Sequence, residues 1–323
     1  MKINIKFRHN NKLNNFEAFS DVSEIIELKR ENLRKIYQQA LNISKECIDD
    51  VQEDIEYIDL KNGIVISDEQ EIINASYHFE EKCITWFTGE INKLYDSIKI
   101  ILDEPTKKKI NDILGSNIEC EEIFFSLIRF ITLHEYFHAQ RKHCYISAVL
   151  EQTKYFLSDY QVSIPYSAII ENNRNAFLCY SYKGILNQAK EIDADTSAVK
   201  YWINKYEVDY LPFIFVIKSY TEIVNIETAL SWYDVNLHNE HPDPIVRFDF
   251  SKAEAERLFN ENHYKILTIL AERVQSLSKG SLLLLSPLTN ELKLQQWRIK
   301  KRLNMLNNEV LIMNDSKICV RHP

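Results

Sequence analysis

Residues 131–144, ITLHEYFHAQRKHC, place His134 and His138 four positions apart, with Glu135 beside the first histidine. On an α-helix, residues i and i+4 lie one above the other, so both imidazoles can face one metal ion at about 2.0–2.1 Å. Glu135 lies about 100° further round the helix, where it can act as a general base without being a ligand. The neighbouring residues are uncharged, as a buried metal-bearing helix requires. HEYFH therefore predicts a zinc site on a buried helix; the alternative is two unrelated surface histidines.

A catalytic zinc needs a third ligand, and residues 189–202, AKEIDADTSAVKYW, supply a candidate. Glu191 and Asp195 are again four residues apart and share one helix face. Glu191 can complete a two-histidine, one-glutamate site, while Asp195 can accept the outer N–H of a ligating imidazole. An exposed acidic helix face is the alternative interpretation. Asp193 and Glu171 are weaker candidates for the third ligand.

The residues after HEYFH exclude a metzincin, whose pattern continues to a glycine and a third histidine. Arg141 occupies the glycine position and Cys144 the histidine position, with His143 one place early. Arginine cannot readily make the turn that glycine makes there. His143 is therefore predicted to be a surface or hydrogen-bonded residue rather than a ligand.

Composition excludes several classes of protein. The five glycines among 323 residues are widely separated, so the chain has no Walker loop, dinucleotide fingerprint or nucleophile elbow. A net charge of −8 argues against nucleic acid as the main partner. The sequence has no signal-peptide pattern and no apolar run approaching the ~20 residues of a membrane helix. Six cysteines without a CxxC pair indicate reduced thiols, so we expect a cytoplasmic protein that binds neither nucleic acid nor membrane.

The hydrophobic pattern predicts a mainly α chain (α+β), with a helical core, a small N-terminal β-sheet and C-terminal helices. We divide it into an N-terminal α/β region (1–115), a core (116–255) and a C-terminal helical region (256–323). Strands are predicted at 2–7 and in a hairpin over 55–67 that turns at Asn62-Gly63. Helices are predicted at about 21–49, 69–102, 118–152, 182–206, 208–235, from Ser251 to before Gly280, and at 288–308. Residues 153–181 are irregular and rich in aromatic residues, as in an insertion that covers a cleft.

A third motif, NEHPDPIVRF at 239–248, makes the pattern more specific. HExxH, then EIDAD, then HP with an arginine six places after the histidine resembles a gluzincin metallopeptidase. The order is similar to that of the HtpX and CAAX-prenyl endopeptidase group, and closer to the soluble Lit-type phage-exclusion peptidases. The resemblance covers roughly residues 65 to 260, and it implies that the core at 116–255 is a zincin-like helical metallopeptidase core. This chain differs from the Lit-type peptidases in its longer interval between His138 and Glu191. It also has Asp193 at a position where that family more often has glutamate.

The resemblance implies a role for each motif residue. The zinc ligands would be His134, His138 and Glu191. The catalytic base would be Glu135. Asp195 would support a ligand, and Arg247 would anchor the HP loop by pairing with a carboxylate such as Asp195. His241 would lie over the zinc, where it steadies the oxyanion or caps the metal in a resting state.

The function implied is that of an intracellular zinc endopeptidase that cleaves a specific host protein, such as a translation factor. A phage-derived or other trigger would activate it, in phage exclusion, abortive infection or a toxin role. We expect the resting site to be covered, either by 153–181 as a lid or by His241 on the zinc. Two alternatives stay open: a non-catalytic zinc-bound helical interaction module, and a zinc hydrolase with a non-peptide substrate.

Overall fold

The computed structural model describes residues 5–9, 12–15, 31–55, 58–67, 74–141, 143, 182–228, 242–277, 284, 287–288, 290–308, 311–314 and 317–320. Most of these residues are helical, and the remainder include a small sheet formed by the N-terminal part of the chain. The prediction of a mainly α chain with a small N-terminal sheet is confirmed. No helix among these residues is long and apolar enough to cross a membrane.

The N-terminal sheet has five strands in the order β2-β1-β3-β5-β4. The strands are β1 (Ile5–His9), β2 (Lys12–Asn15), β3 (Gly63–Ser67), β4 (Ala75–His78) and β5 (Cys83–Phe87). Strands β1, β3 and β5 run parallel, while β2 and β4 are antiparallel to their neighbours at the two edges. All residues of β3 and β5 are buried, which explains their continuous apolar sequences GIVIS and CITWF.

The helices follow in chain order: α1 (Glu31–Asp54), α2 (Thr88–Ile101), α3 (Glu104–Leu114), α4 (Cys120–Gln140), α5 (Tyr182–Lys205), α6 (Leu211–Thr228), α7 (Pro244–Ala255), α8 (Glu261–Leu277) and α9 (Asn290–Asn308). Strands β6 (Leu311–Asn314) and β7 (Lys317–Val320) form an antiparallel pair after α9. Local sequence sets several of these ends. Asp103 caps α3 by accepting the N–H of Thr106 at 3.0 Å, and Gly115, with φ 68°, ends that helix.

Helix α4, which carries HEYFH, lies at the centre of the fold. It packs against α1, α2, α5 and α6 and against strands β4 and β5. Its apolar residues are buried on nearly all sides, among them Leu127, Phe130, Leu133 and Tyr136. His134 and Glu135 are buried with them, so their polar atoms require partners inside the protein.

Two predicted elements in the N-terminal region are wrong. The hairpin over 55–67 does not form, because Gly63 starts a strand that pairs in parallel with β1 and β5 rather than with the preceding residues. The helix predicted over 69–102 begins only at Thr88, because β4 and β5 occupy its first part. A strand that is buried on both faces lacks the alternation of apolar and polar residues that distinguishes a strand from a helix. The pattern of short apolar runs therefore predicted the wrong secondary structure here.

A third correction concerns the helix predicted to start at Ser251. Helix α7 starts at Pro244, where the Asp243 carboxylate accepts the N–H of Ile245 at 2.9 Å. Ser251 is therefore a buried residue inside α7, and the helix start predicted there is wrong. The single helix predicted from Ser251 to before Gly280 is also wrong, since α7 ends at Ala255 and α8 begins at Glu261. Helices α5 and α9 agree with their predicted positions. Helix α4 begins close to the predicted start at 118 but ends at Gln140, before the predicted end at 152, and the insertion 153–181 lies outside the described residues.

Candidate metal centre

Helices α4 and α5 bring the three predicted ligands together. The Nε2 atoms of His134 and His138 are 3.0 Å apart, and each lies 3.3 Å from an oxygen of the Glu191 carboxylate. Ligand atoms at about 2.0–2.1 Å from a tetrahedral ion are about 3.3 Å from one another. The group therefore has the size of a metal site, and it can hold a metal ion.

The charge around these ligands is the second reason that a cation fits. The buried or partly buried carboxyl groups close to the site outnumber the cationic side chains, with Glu90, Glu135, Glu191, Asp195 and Glu222 against Lys218 and Arg247. Uncompensated negative charge is costly away from water. A divalent cation would offset most of the excess.

His134 is held by a direct carboxylate contact. Its Nδ1 lies 2.8 Å from Oδ1 of Asp195, which leaves Nε2 directed at the ligand group. Burial disfavours a charged imidazole, but the carboxylates of Asp195 and Glu191 outweigh it and raise the pKa of His134 to about 9. The surroundings of the His134 imidazole thus favour a positive charge. Either a bound proton or a metal ion would supply that charge.

Asp195 is in turn clamped by Arg247, as the sequence predicted. The guanidinium donates from Nε at 2.7 Å and from Nη2 at 2.9 Å to the two carboxylate oxygens. Burial would raise the pKa of Asp195, but Arg247 and Lys218 hold it well below its usual range. Arg247 also lies 2.9 Å from Glu222 and 3.5 Å from Glu191, so it connects α5, α6 and α7.

His138 has a different support, which the sequence did not indicate. Its Nδ1 lies 2.9 Å from Nδ1 of His143, and Nε2 of His143 lies 3.0 Å from Oδ2 of Asp193. Arg141 donates to both oxygens of Asp193, at 2.8 and 3.2 Å. His143 is 3% exposed, so the surface alternative is wrong and the hydrogen-bonded one is confirmed. Asp193 is occupied here and is not a third ligand, which corrects that candidate.

Glu135 lies between the ligand group and the sheet. Its Oε1 is 3.8 Å from Nε2 of His134, and its Oε2 accepts the backbone N–H of Tyr77 in strand β4 at 2.7 Å. The side chain is buried, with 7% exposure. The carboxylate is thus fixed beside the ligands without being one of them.

The remaining predicted residues divide between described and undescribed parts of the chain. His241 and Glu171 lie outside the described residues, so the predicted roles of both stay predictions. Pro242, next to His241, is buried, and Asp243 starts α7. The chain therefore enters α7 beside the site, and Arg247 follows one turn later.

No family model matches this chain, and none of the curated proteins or solved structures compared with it matches either. The resemblance to gluzincins thus depends on the three motifs. HEYFH and EIDAD meet at the ligand group, and the third motif contributes Arg247 to the same cluster. Membership of a peptidase family stays a prediction.

Proposed function

We propose that this chain is a zinc-dependent endopeptidase of the gluzincin type, with a zincin-like core. The observation that carries the proposal is the position of Glu135, which lies between the ligand group and the edge strand β4. A base, a metal site and the edge strand of a sheet are the three parts that metal-assisted cleavage of an extended peptide uses.

The donor set supports zinc in a catalytic role. Two imidazoles and one carboxylate leave one position of a tetrahedral ion open, whereas structural zinc sites are closed by four protein ligands. When bound, zinc polarises a carbonyl oxygen and lowers the pKa of a coordinated water toward about 7. Asp195 keeps Nε2 of His134 directed at the ion by engaging Nδ1.

Glu135 is the residue that moves the proton. Its Oε1 faces the ligand group, where it can take a proton from the attacking water and deliver it to the leaving amine. The N–H of Tyr77 donates to Oε2 at 2.7 Å and holds the carboxylate in this position. A non-catalytic zinc module would have no need for a base held in this way, so the geometry favours the enzyme.

Strand β4 favours a peptide as the substrate. In an antiparallel pair, alternate residues direct both backbone groups toward the partner or away from it. Tyr77 directs its N–H to Glu135, hence away from β5, while Asn74 accepts from Phe87 of β5 at 3.4 Å. Within the described residues no strand covers this outer side. An extended peptide that pairs with this side of β4 would lie beside Glu135. A small non-peptide substrate would not need a strand to pair with.

The biological role follows from the resemblance to Lit-type peptidases. We propose selective cleavage of one host protein in the cytoplasm, such as a translation factor, after activation by a phage-derived or other trigger. The order of the three motifs supports this role. A site restrained until activation is consistent with an endopeptidase that spares other proteins of the cell.

Detection of new protein N-termini by mass spectrometry tests the proposal. Purified wild-type protein and Glu135→Gln are incubated with lysates of uninfected and phage-infected cells, with and without a chelator. The wild type should generate one or a few cleavage products that the chelator abolishes. Glu135→Gln should keep its metal but cleave about 10²–10⁴-fold more slowly, because the general base is lost.

Glu121→Gln is the matched control, since this glutamate is exposed on the first turn of the same helix. It should cleave like the wild type. Near-normal cleavage by Glu135→Gln, or products that appear equally with the chelator, would contradict a metallopeptidase.

A further inference from the structure

His138 meets a second imidazole on the side away from the ligand group. His143 and Asp193 are 3% and 6% exposed, so the contacts His138–His143 and His143–Asp193 are protected from water. Arg141 closes the series at the end of α4 by gripping both oxygens of Asp193. We name His143, Asp193 and Arg141 the His138 support.

With His143 neutral, the contacts in this support allow one arrangement of protons. Arg141 donates to both oxygens of Asp193, at 2.8 and 3.2 Å, so this carboxylate is paired with a guanidinium and ionised. An ionised carboxylate only accepts, so Nε2 of His143 must carry a proton and donate it to Asp193. Nδ1 of a neutral His143 is then an acceptor, and Nδ1 of His138 must be its donor at 2.9 Å.

This arrangement determines which nitrogen of His138 can bind a metal. With the proton on Nδ1, the lone pair of His138 lies on Nε2, which is the atom 3.3 Å from Glu191 and 3.0 Å from Nε2 of His134. A free imidazole divides between two tautomers and rotates about its side-chain bonds. The support removes both freedoms, so the ligand is in its binding form before the ion arrives.

A buried histidine beside an aspartate is in most proteins only a structural pair, and this chain contains one for comparison. His263 is 4% exposed and its Nε2 lies 2.7 Å from Asp209. Its Nδ1 accepts the backbone N–H of Asn260, so its two nitrogens connect the start of α8 to Asp209, which lies between α5 and α6. His143 differs because its second nitrogen contacts a predicted metal ligand.

We propose that His143 is a positioning residue of the metal centre: held by Asp193 and Arg141, it fixes the tautomer and orientation of His138 and thereby strengthens metal binding. The proposal rests on the zinc site proposed above. It assigns His143, Asp193 and Arg141 a role in metal affinity and none in proton transfer to substrate.

The test measures the zinc dissociation constant by competition with a chromophoric chelator, together with the unfolding temperature of the chelator-treated protein. His143→Ala should bind zinc about 10–100-fold more weakly than the wild type, as losses behind a metal ligand do. His143→Gln should recover a large part of this loss, because its amide can accept from His138 and donate to Asp193. Should His143→Ala fail to fold, the nearly isosteric Asp193→Asn replaces it, with a loss of about tenfold expected.

His263→Ala is the matched control. It removes a buried histidine–aspartate pair and should lower the unfolding temperature while leaving the zinc constant unchanged. A zinc constant for His143→Ala equal to that of His263→Ala would overturn the positioning role but leave the zinc site intact. Absence of zinc binding in the wild type would instead overturn the proposed function and this inference with it.

Discussion

The two histidine ligands are supported by opposite sides of α5 in different ways. Asp195 contacts His134 directly, whereas Asp193 reaches His138 through the intervening ring of His143. Each aspartate is gripped through both oxygens by an arginine, Arg247 for Asp195 and Arg141 for Asp193.

The surroundings of the two arginines differ more than their geometry does. The side chain of Arg247 is 8% exposed and also contacts Glu222, while that of Arg141 is 38% exposed. An ion pair in contact with solvent contributes little to stability, whereas removal of one partner from a buried pair leaves an uncompensated charge. We infer that the His134 side contributes more to the stability of the fold, while the His138 side mainly adjusts the ligand.

Substituting the two arginines in turn should separate these roles. The largest effect is expected at Arg247. Arg247→Gln removes a buried cation from Asp195 and Glu222 and leaves both in contact with Lys218, so the free energy of unfolding should fall by about 3–5 kcal/mol. Arg141→Gln is the paired variant and should cost at most about 1 kcal/mol, because its ion pair is partly exposed. Urea unfolding of chelator-treated proteins measures both losses. Equal losses would contradict the division of roles.

A smaller, pH-dependent effect is expected at Glu90 in α2, next to the charge cluster around Arg247. Burial, followed by the charge of Glu222, raises the pKa of Glu90 from 4.5 to about 7. The folded state therefore holds this proton more tightly than the unfolded state does. The contribution of Glu90 to stability is fully present below about pH 4.5 and is lost as the pH rises through about 7.

Glu90→Gln removes this dependence. The variant should match the wild type near pH 4 and be more stable by up to about 3 kcal/mol at pH 8, which follows from a pKa difference of this size. Unfolding free energies of chelator-treated protein across this pH range give the comparison, with the exposed Glu121→Gln as control. Parallel pH profiles for wild type and Glu90→Gln would show that Glu90 is not the buried acid that the structure indicates.

The parts of the site that the sequence predicted correctly depend on short-range geometry. The helix period places His134 over His138 and Glu191 over Asp195 whatever the surrounding fold. The Asp195–Arg247 pair came from the resemblance, and the structure has these side chains 2.7 Å apart. The two helix-period predictions did not require knowledge of which helices are neighbours, whereas the Asp195–Arg247 pair required the resemblance.

The parts that the sequence missed depend on contacts between distant residues. His143 and Asp193 are 50 positions apart, and neither Gly nor Pro marks the end of α4 before His143. One signal was available, because a helix turns about 200° in two residues. Asp193 therefore cannot share a face with Glu191, so spacing alone showed that at most one of the two is a ligand. Its actual partners required the structure.

Zinc content in three purified proteins tests the metal centre most directly. Elemental analysis should find about one zinc per chain in the wild type and in Glu135→Gln, since Glu135 lies beside the ligand group without belonging to it. Glu191→Ala should lose most of its zinc, because it removes one of the three ligands. Full zinc in Glu191→Ala, or none in the wild type, would contradict the assignment of His134, His138 and Glu191 as the metal site.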